Sequence, residues 1–222
     1  MFQVKICGVR LKSDVAAVGA AGGDAVGLNF FPPSVRFVDP MSTDASQLAD
    51  AARGHALRTV GVFVNEPVAR IRQISEWLNL DAVQLHGDES IDQAIELQGD
   101  GLTVIRAIKL PVADLTTDLI DAATGPAAAA GLHLLLDADA GRMHGGSGKT
   151  LHWPAIHQWS AENPEARWTL AGGLDDDNVR QAVEVSGATS VDVASGVERP
   201  RGVKNDDRIR RFVSEFQAAK AG

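Results

Sequence analysis

The chain has 222 residues, of which 45 % are hydrophobic and 23 % charged, enough to bury a large core and of a length that suits one closed α/β barrel. Its formal net charge of −8 repels phosphate backbones and disfavours nucleic-acid binding. The single cysteine excludes an intrachain disulfide and suits a reducing compartment. The N-terminus has no apolar run long enough for a signal peptide, and the apolar residues 127–136 are too few to span a membrane. We therefore expect a cytoplasmic protein without a membrane partner.

Apolar, β-branched runs recur along the chain at regular intervals. They are continuous rather than alternating, which indicates strands that are covered on both faces, as in a parallel sheet. The predicted strands are residues 3–7, 25–30, 58–64, 82–86, 102–108, 133–138, 168–172 and 190–195.

Segments with helical spacing separate these strands. Ser13 is a predicted N-cap, Pro67 suits a first helical position, and the acidic residues after residue 174 favour a helix start. The predicted helices are residues 13–22, 42–53, 67–80, 90–98, 175–187 and 206–219, with less regular helical patterns at 111–124 and 151–161.

Eight β units that alternate with helices predict a (β/α)8 TIM barrel, and we expect one domain over residues 1–222. An open doubly wound sheet is the alternative, but the sequence lacks a strong dinucleotide fingerprint. In a closed barrel the C-terminal ends of all the strands surround one mouth, where barrel enzymes carry their active sites.

Small residues follow the last two predicted strands. Gly172 and Gly173 come after the seventh, and Ser195 and Gly196 after the eighth. Their backbone amides are open to an anion, and many barrels bind phosphate at this place. Tight turns are the alternative explanation. The pattern predicts a small, anionic, phosphorylated ligand.

Three chemically capable side chains stand at other strand ends or in the loops that follow. Cys7 is two residues from Lys5, a cation that would favour the thiolate, although a free cysteine is commonly a small buried hydrophobe. Asp137 ends a very apolar strand, where partial desolvation would keep a proton available for donation, unless it caps a loop. Asp139 competes for that role. Arg36 follows two prolines and suits a carboxylate, or is a solvated surface arginine.

The segment HGGSGKT at 144–150 looks like a nucleotide P-loop. That motif needs a glycine five residues before Gly148, and the sequence has Met143 there. We therefore interpret it as a loop after the sixth strand that either folds over a ligand or is an ordinary surface loop.

Several motifs together resemble the phosphoribosylanthranilate isomerases of tryptophan biosynthesis, from about residue 3 to residue 206. The motifs are VKICGVR, GLNFFPPSVRFV, VGVFVNEP, VQLHGDE, LLLDADAGRMHGGSGKTLHW, LAGGLDDDNV and VDVASGVE. The resemblance implies a barrel isomerase that performs an Amadori rearrangement with neither a metal nor an organic cofactor. It implies Cys7 as general base, Asp137 as general acid and Arg36 as the carboxylate ligand, with the glycine loops on phosphate. His86, in VQLHGDE, is a further candidate for substrate binding.

The sequence departs from the family pattern at Leu151-His152-Trp153, at Asn205, where aspartate is common, and at Ala194, where serine is usual. Two other functions remain open. One is a histidine-pathway aminoribose-phosphate isomerase, or a bifunctional enzyme, although that sister family uses two aspartates and a second phosphate site. The other is a non-catalytic paralogue that binds a sugar phosphate. Oligomeric state is not predicted.

Overall fold

The computed structural model describes residues 1–139 and 150–221. The strands are β1 (Val4–Cys7), β2 (Ala25–Asn29), β3 (Arg58–Phe63), β4 (Ala82–Leu85), β5 (Val104–Leu110), β6 (His133–Ala138), β7 (Trp168–Leu170) and β8 (Val191–Val193). The helices are α1 (Lys12–Ala21), α2 (Thr43–Gly54), α3 (Val68–Leu78), α4 (Ile91–Gly99), α5 (Thr117–Ala129), α6 (Trp153–Glu162), α7 (Val179–Ser186) and α8 (Asp206–Ala221), and a 3₁₀ turn covers Ser195–Val197.

The eight strands pair in chain order, all parallel, and β1 closes the barrel against β8. The prediction of a (β/α)8 barrel is confirmed. Because every strand runs in the same direction, residues at the C-terminal ends of β1 and β6 open onto the same mouth. Among the described residues, no helix combines the length and apolar character that crossing a membrane requires.

Local hydrogen bonds define where several helices begin. Ser42 and Ser90 cap α2 and α4 by accepting from the amides of Ala45 and Gln93. The predicted Ser13 cap is wrong: α1 begins one residue earlier, and the Asp14 carboxylate accepts from the amides of Arg10 and Leu11. An aspartate at the third helical position thus reaches back to the backbone that precedes the helix, as the acidic residue of a capping box does.

Two helices begin at least four residues later than predicted. The α5 helix starts only at Thr117, because the Thr116 side chain caps the helix by accepting from the amide of Leu119. The α7 helix starts at Val179 because Asp175 accepts from the amides of Asp177 and Asn178. Asp175 therefore closes a local turn before the helix, a known preference of aspartate.

Apolar side chains fill the barrel interior as well as the layer between strands and helices. The interior cluster comprises Phe2, Ala25, Val60, Ala82, Ile105, Ala107, Leu135 and Ala171. Side chains alternate along a strand, so Asp137 shares the inward face with Leu135. Lys5 pairs in register with Ala25, and Cys7 with Gly27, so that both also face inward. The predicted base and acid therefore point into one barrel.

A buried polar chain lies near the opposite end of the barrel. His133 Nε2 lies 2.8 Å from Thr169 Oγ1, which lies 2.8 Å from Ser190 Oγ. Burial, followed by the charges of Arg167 and the amino terminus, lowers the pKa of His133 to about 4. The folded protein therefore keeps this imidazole neutral where an unfolded chain would protonate it.

We expect His133→Gln to reduce the loss of stability in acid. As the pH falls, the unfolded state of the wild type binds the His133 proton before the folded state does. The free energy of unfolding is therefore unaffected by this group above pH 6.5 and decreases as the pH falls toward 4. Protonation of this one histidine decreases the free energy of unfolding by about 3 kcal/mol. Urea unfolding at pH 7 and pH 4.5 measures it. His55→Gln, at an exposed histidine, should match the wild type, and an unchanged acid loss in His133→Gln would contradict the assignment.

Candidate active site

Cys7 lies at the C-terminal end of β1, buried, with a small charged cluster around its thiol. Lys5 Nζ, on the same inward face and fully buried, forms an ion pair with Asp192 Oδ1 at 2.7 Å. The β-carbon of a residue larger than glycine at position 27 would lie 2.8 Å from the Cys7 sulfur, so the neighbouring strand leaves room for the thiol only by having no side chain there.

Burial raises the pKa of the Cys7 thiol and outweighs the positive charge of Lys5, which lowers it. Asp192 adds to the rise, and Lys204 and Arg36 oppose it. The net direction is opposite to the predicted effect of Lys5. The thiolate that forms is accordingly a strong proton acceptor, because its conjugate acid is weak.

Arg36 is buried beside Cys7 rather than exposed on the surface. Its methylene chain packs against Gly8, where a β-carbon would overlap it. Its guanidinium donates from Nε to Glu198 Oε1 at 2.6 Å and from Nη2 to Glu198 Oε2 at 2.8 Å. The solvated-arginine alternative is therefore wrong. The parallel fork is the geometry that arginine uses for carboxylates.

Asp137 lies across the mouth from β1, at the end of β6, and is half-buried. Its Oδ2 is 3.3 Å from His86 Nε2, and His86 Nδ1 is 2.9 Å from the Gln84 side-chain nitrogen. An amide nitrogen only donates, so the neutral His86 ring accepts at Nδ1 and carries its proton on Nε2. The Nε2–H of this ring then points to the Asp137 carboxylate and holds it in place.

The loops after β7 and β8 lie against each other at the mouth. Gly172 and Gly173 adopt φ values of +75° and +69°, which favour glycine, and a β-carbon on Gly172 would overlap the backbone of Ala138, next to Asp137. A β-carbon on Gly196 would overlap the Leu174 carbonyl oxygen. The structure thus brings the two predicted amide loops together, and the β7 loop contacts the strand that carries Asp137.

Three other features singled out from the sequence have different outcomes. Asp139, the competitor of Asp137, follows β6 and is exposed. The glycine-rich segment 144–150 lies outside the described residues, apart from Thr150. Asn205, the departure in the late motif, accepts from the amide of Arg208 and caps the start of α8. Asparagine caps about as well as aspartate, so that departure costs little.

One group of three carboxylates in the described part of the chain lies close enough to share a cation: Asp175, Asp176 and Asp177. Asp176 is ion-paired with Arg208 and Arg211, and Arg211 also contacts Asp177. Asp175 accepts two backbone amides. These partners already balance the carboxylates.

Sequence reasoning missed four charged residues of the site. Asp192 pairs with Lys5, Glu198 pairs with Arg36, and Lys204 pairs with Glu198. Lys109 is the register partner of Asp137 on β5 and is exposed at the mouth. Of these four residues, only Lys109 could have been found from the sequence, because it stands at the end of a predicted strand. The others are brought in by barrel closure and by the loop after β8.

A sequence model of the family described as N-(5'phosphoribosyl)anthranilate (PRA) isomerase matches residues 4–215. The chain is 40 % identical over 223 residues to the N-(5'-phosphoribosyl)anthranilate isomerase of Magnetococcus marinus, an alignment that covers 99 % of this chain and 97 % of the relative.

Solved structures are similar over the same extent. The phosphoribosyl anthranilate isomerase of Thermotoga maritima has a TM-score of 0.85 at 33 % identity, covering 98 % of this chain and 100 % of that one. A phosphoribosyl anthranilate isomerase in complex with reduced 1-(o-carboxyphenylamino)-1-deoxyribulose 5-phosphate has a TM-score of 0.81 at 30 % identity, covering 98 % and 100 %. That ligand carries both a carboxylate and a phosphate.

Proposed function

The chain belongs to the N-(5'-phosphoribosyl)anthranilate isomerase family, and on that basis we propose that it converts N-(5-phosphoribosyl)anthranilate to 1-(o-carboxyphenylamino)-1-deoxyribulose 5-phosphate in tryptophan biosynthesis. The observation that carries the proposal is the match to this family over residues 4–215. We place it in a reducing cytosol, where a lone thiol stays reduced.

Two anion sites would hold the substrate by its ends. The amides of Gly172, Gly173, Ser195 and Gly196 would bind the phosphate, in the adjoining loops after β7 and β8. Arg36 would bind the anthranilate carboxylate. The sugar would then lie between Cys7 and Asp137, because β1 and β6 both end at the mouth and both side chains face inward.

Asp137 would act first, as general acid. It gives its proton to the furanose ring oxygen, the C1′–O bond breaks, and the nitrogen lone pair forms the imine, which carries a positive charge. His86, oriented by Gln84, contacts the Asp137 carboxyl group through Nε2 and holds it in position for this transfer. Proton transfer from a positioned side chain contributes about 10²–10⁴-fold to a rate.

Cys7 would act second, as general base. Its thiolate removes the proton from C2′, and the electron pair moves into the C1′–C2′ bond and neutralises the iminium nitrogen. The resulting enolamine tautomerises to the aminoketose. C1′ is reduced by two electrons while C2′ is oxidised by two, so the reaction needs no external oxidant or reductant.

Turnover of both aminoribose phosphates tests the function. We expect the purified protein to isomerise N-(5-phosphoribosyl)anthranilate, followed by the fluorescence of the anthranilate group. The histidine-pathway substrate should react far more slowly, because it has no anthranilate carboxylate for Arg36. Comparable rates on both would indicate a bifunctional enzyme, and phosphate-ligand binding without turnover would indicate the non-catalytic paralogue.

A further inference from the structure

The carboxylate of Glu198 is surrounded by hydrogen-bond donors, although the proposed reaction gives this residue no role. It is 1 % exposed and receives four donors within 2.9 Å: two from Arg36, one from Lys204 Nζ and one from the amide of Gly202. These donors outweigh burial, which by itself would raise the pKa of Glu198, and lower that pKa to about 2. Glu198 is therefore ionised at every pH at which the protein is used.

The fork leaves one edge of the arginine for a ligand. A guanidinium has five N–H groups, and the Nε and Nη2 groups that face Glu198 form one edge. At most three N–H groups, those of Nη1 and the outer one of Nη2, remain for another partner. A second carboxylate can bind Arg36 only end-on, through Nη1 and Nη2.

The charges of Arg36, Lys204 and Glu198 do not cancel one another. Arg36 and Lys204 are both buried cations, and Glu198 is the carboxylate between them, so the three side chains together carry one positive charge. Lys204 Nζ also donates to the Ala194 carbonyl oxygen at 2.8 Å, directly before Ser195. The same cluster therefore connects the arginine to the loop proposed to bind phosphate.

We propose that Glu198 is a positioning residue for substrate binding, which fixes Arg36 by its Nε–Nη2 edge and presents the remaining edge to the anthranilate carboxylate. This inference rests on the proposed function, and in particular on the assigned partner of Arg36. Glu198 does not touch the reacting atoms, so it acts on ground-state and transition-state binding alike. Such a residue changes KM and leaves kcat nearly unchanged.

The test compares Arg36→Ala, Glu198→Gln and the double variant in steady-state assays. We expect Arg36→Ala to raise KM at least about tenfold, and Glu198→Gln to raise it about tenfold with kcat within about threefold of wild type. Because Glu198 acts through Arg36, the double variant should be no worse than Arg36→Ala. Glu198→Asp, which keeps the charge but is shorter, should fall between wild type and Glu198→Gln.

A matched control separates positioning from stability. Glu89 is also buried, accepts from Arg106 at 2.7 Å and from two backbone amides, and lies on the other side of the barrel, after β4. Glu89→Gln should lower the melting temperature as Glu198→Gln does, with KM within about threefold of wild type. A substrate made with aniline in place of anthranilate should give the same kcat/KM with wild type and Glu198→Gln.

The outcomes separate the two proposals. If Arg36→Ala raises KM but Glu198→Gln and Glu198→Asp do not, the positioning role is wrong and the carboxylate site of Arg36 stands. An additive double variant has the same meaning. If Arg36→Ala leaves KM unchanged, the assigned partner of Arg36 is wrong, and the role of Glu198 is overturned with it. If Glu198→Gln does not fold, the KM of Glu198→Asp decides.

Discussion

Replacing Cys7 with alanine is expected to lower kcat by about 10²–10⁴-fold while KM stays close to its wild-type value. The thiolate is the only group assigned to the C2′ proton, and alanine has no acceptor. Cys7→Ser is the sharper variant because it keeps the shape of the side chain, while a hydroxyl is far less acidic than a thiol. Both variants should lose kcat to a similar degree. Near-normal turnover in either would remove Cys7 from the reaction.

The pH dependence provides an independent check on the same residue. Burial raises the pKa of the thiol, and a base works only when deprotonated. In Asp137→Asn, in which no acid has to stay protonated, we therefore expect the remaining kcat/KM to rise with pH through neutrality and above it. Cys7→Asp replaces the thiol with a carboxylate, which ionises at lower pH, so any remaining activity should reach its plateau at lower pH. A profile of Asp137→Asn that is flat between pH 7 and pH 9 would contradict a thiolate base.

The barrel was predictable because each repeat carries its own signal. Continuous apolar runs predicted all eight strands to within two residues at each end. A strand that is covered on both faces is apolar at nearly every position, so its extent can be read directly from the sequence. Helix starts were less accurate. Asp14, Thr116 and Asp175 each accept nearby amides, and the sequence does not show which of several polar residues will do so.

The candidate site was predictable only where it coincides with strand ends. Cys7, Asp137 and the two glycine loops stand there, and β-barrel closure gathers them without further information. The partners of these residues come from elsewhere in the chain. Glu198 is 162 positions from Arg36, and Asp192 reaches Lys5 only because β8 closes against β1. No local pattern pairs such residues.

The direction of the pKa shift of Cys7 shows why the effect of a neighbouring charge on a pKa cannot be evaluated from sequence spacing. Lys5 does lower the pKa, as its place two residues away predicts, but the thiol is enclosed and Asp192 offsets much of the lysine charge. Desolvation depends on the whole surrounding fold. The same dependence makes Glu198 ionised: the residue is buried, yet Arg36 and Lys204 reverse the effect of burial.

The second large effect is expected for Asp137→Asn, which should lower kcat by about 10²–10⁴-fold. Asparagine has nearly the same shape, and its side-chain oxygen can still accept from His86 Nε2, so the geometry at the end of β6 is kept. What it lacks is a proton acidic enough for the ring oxygen. Binding energy from both anion sites is unaffected, so KM should stay within about threefold of wild type.

Asp139→Asn is the matched control, because it makes the same chemical change two residues away at an exposed position after β6. It should keep kcat within about threefold of wild type. A loss in Asp139→Asn that equals the loss in Asp137→Asn would mean that the charge of this strand end matters, rather than one proton donor. Full activity in Asp137→Asn would show that ring opening takes its proton from another group. We expect the loss to be confined to Asp137→Asn, because an acid must face the sugar. Asp137 lies on the inward face of β6, and it contacts His86 at the mouth.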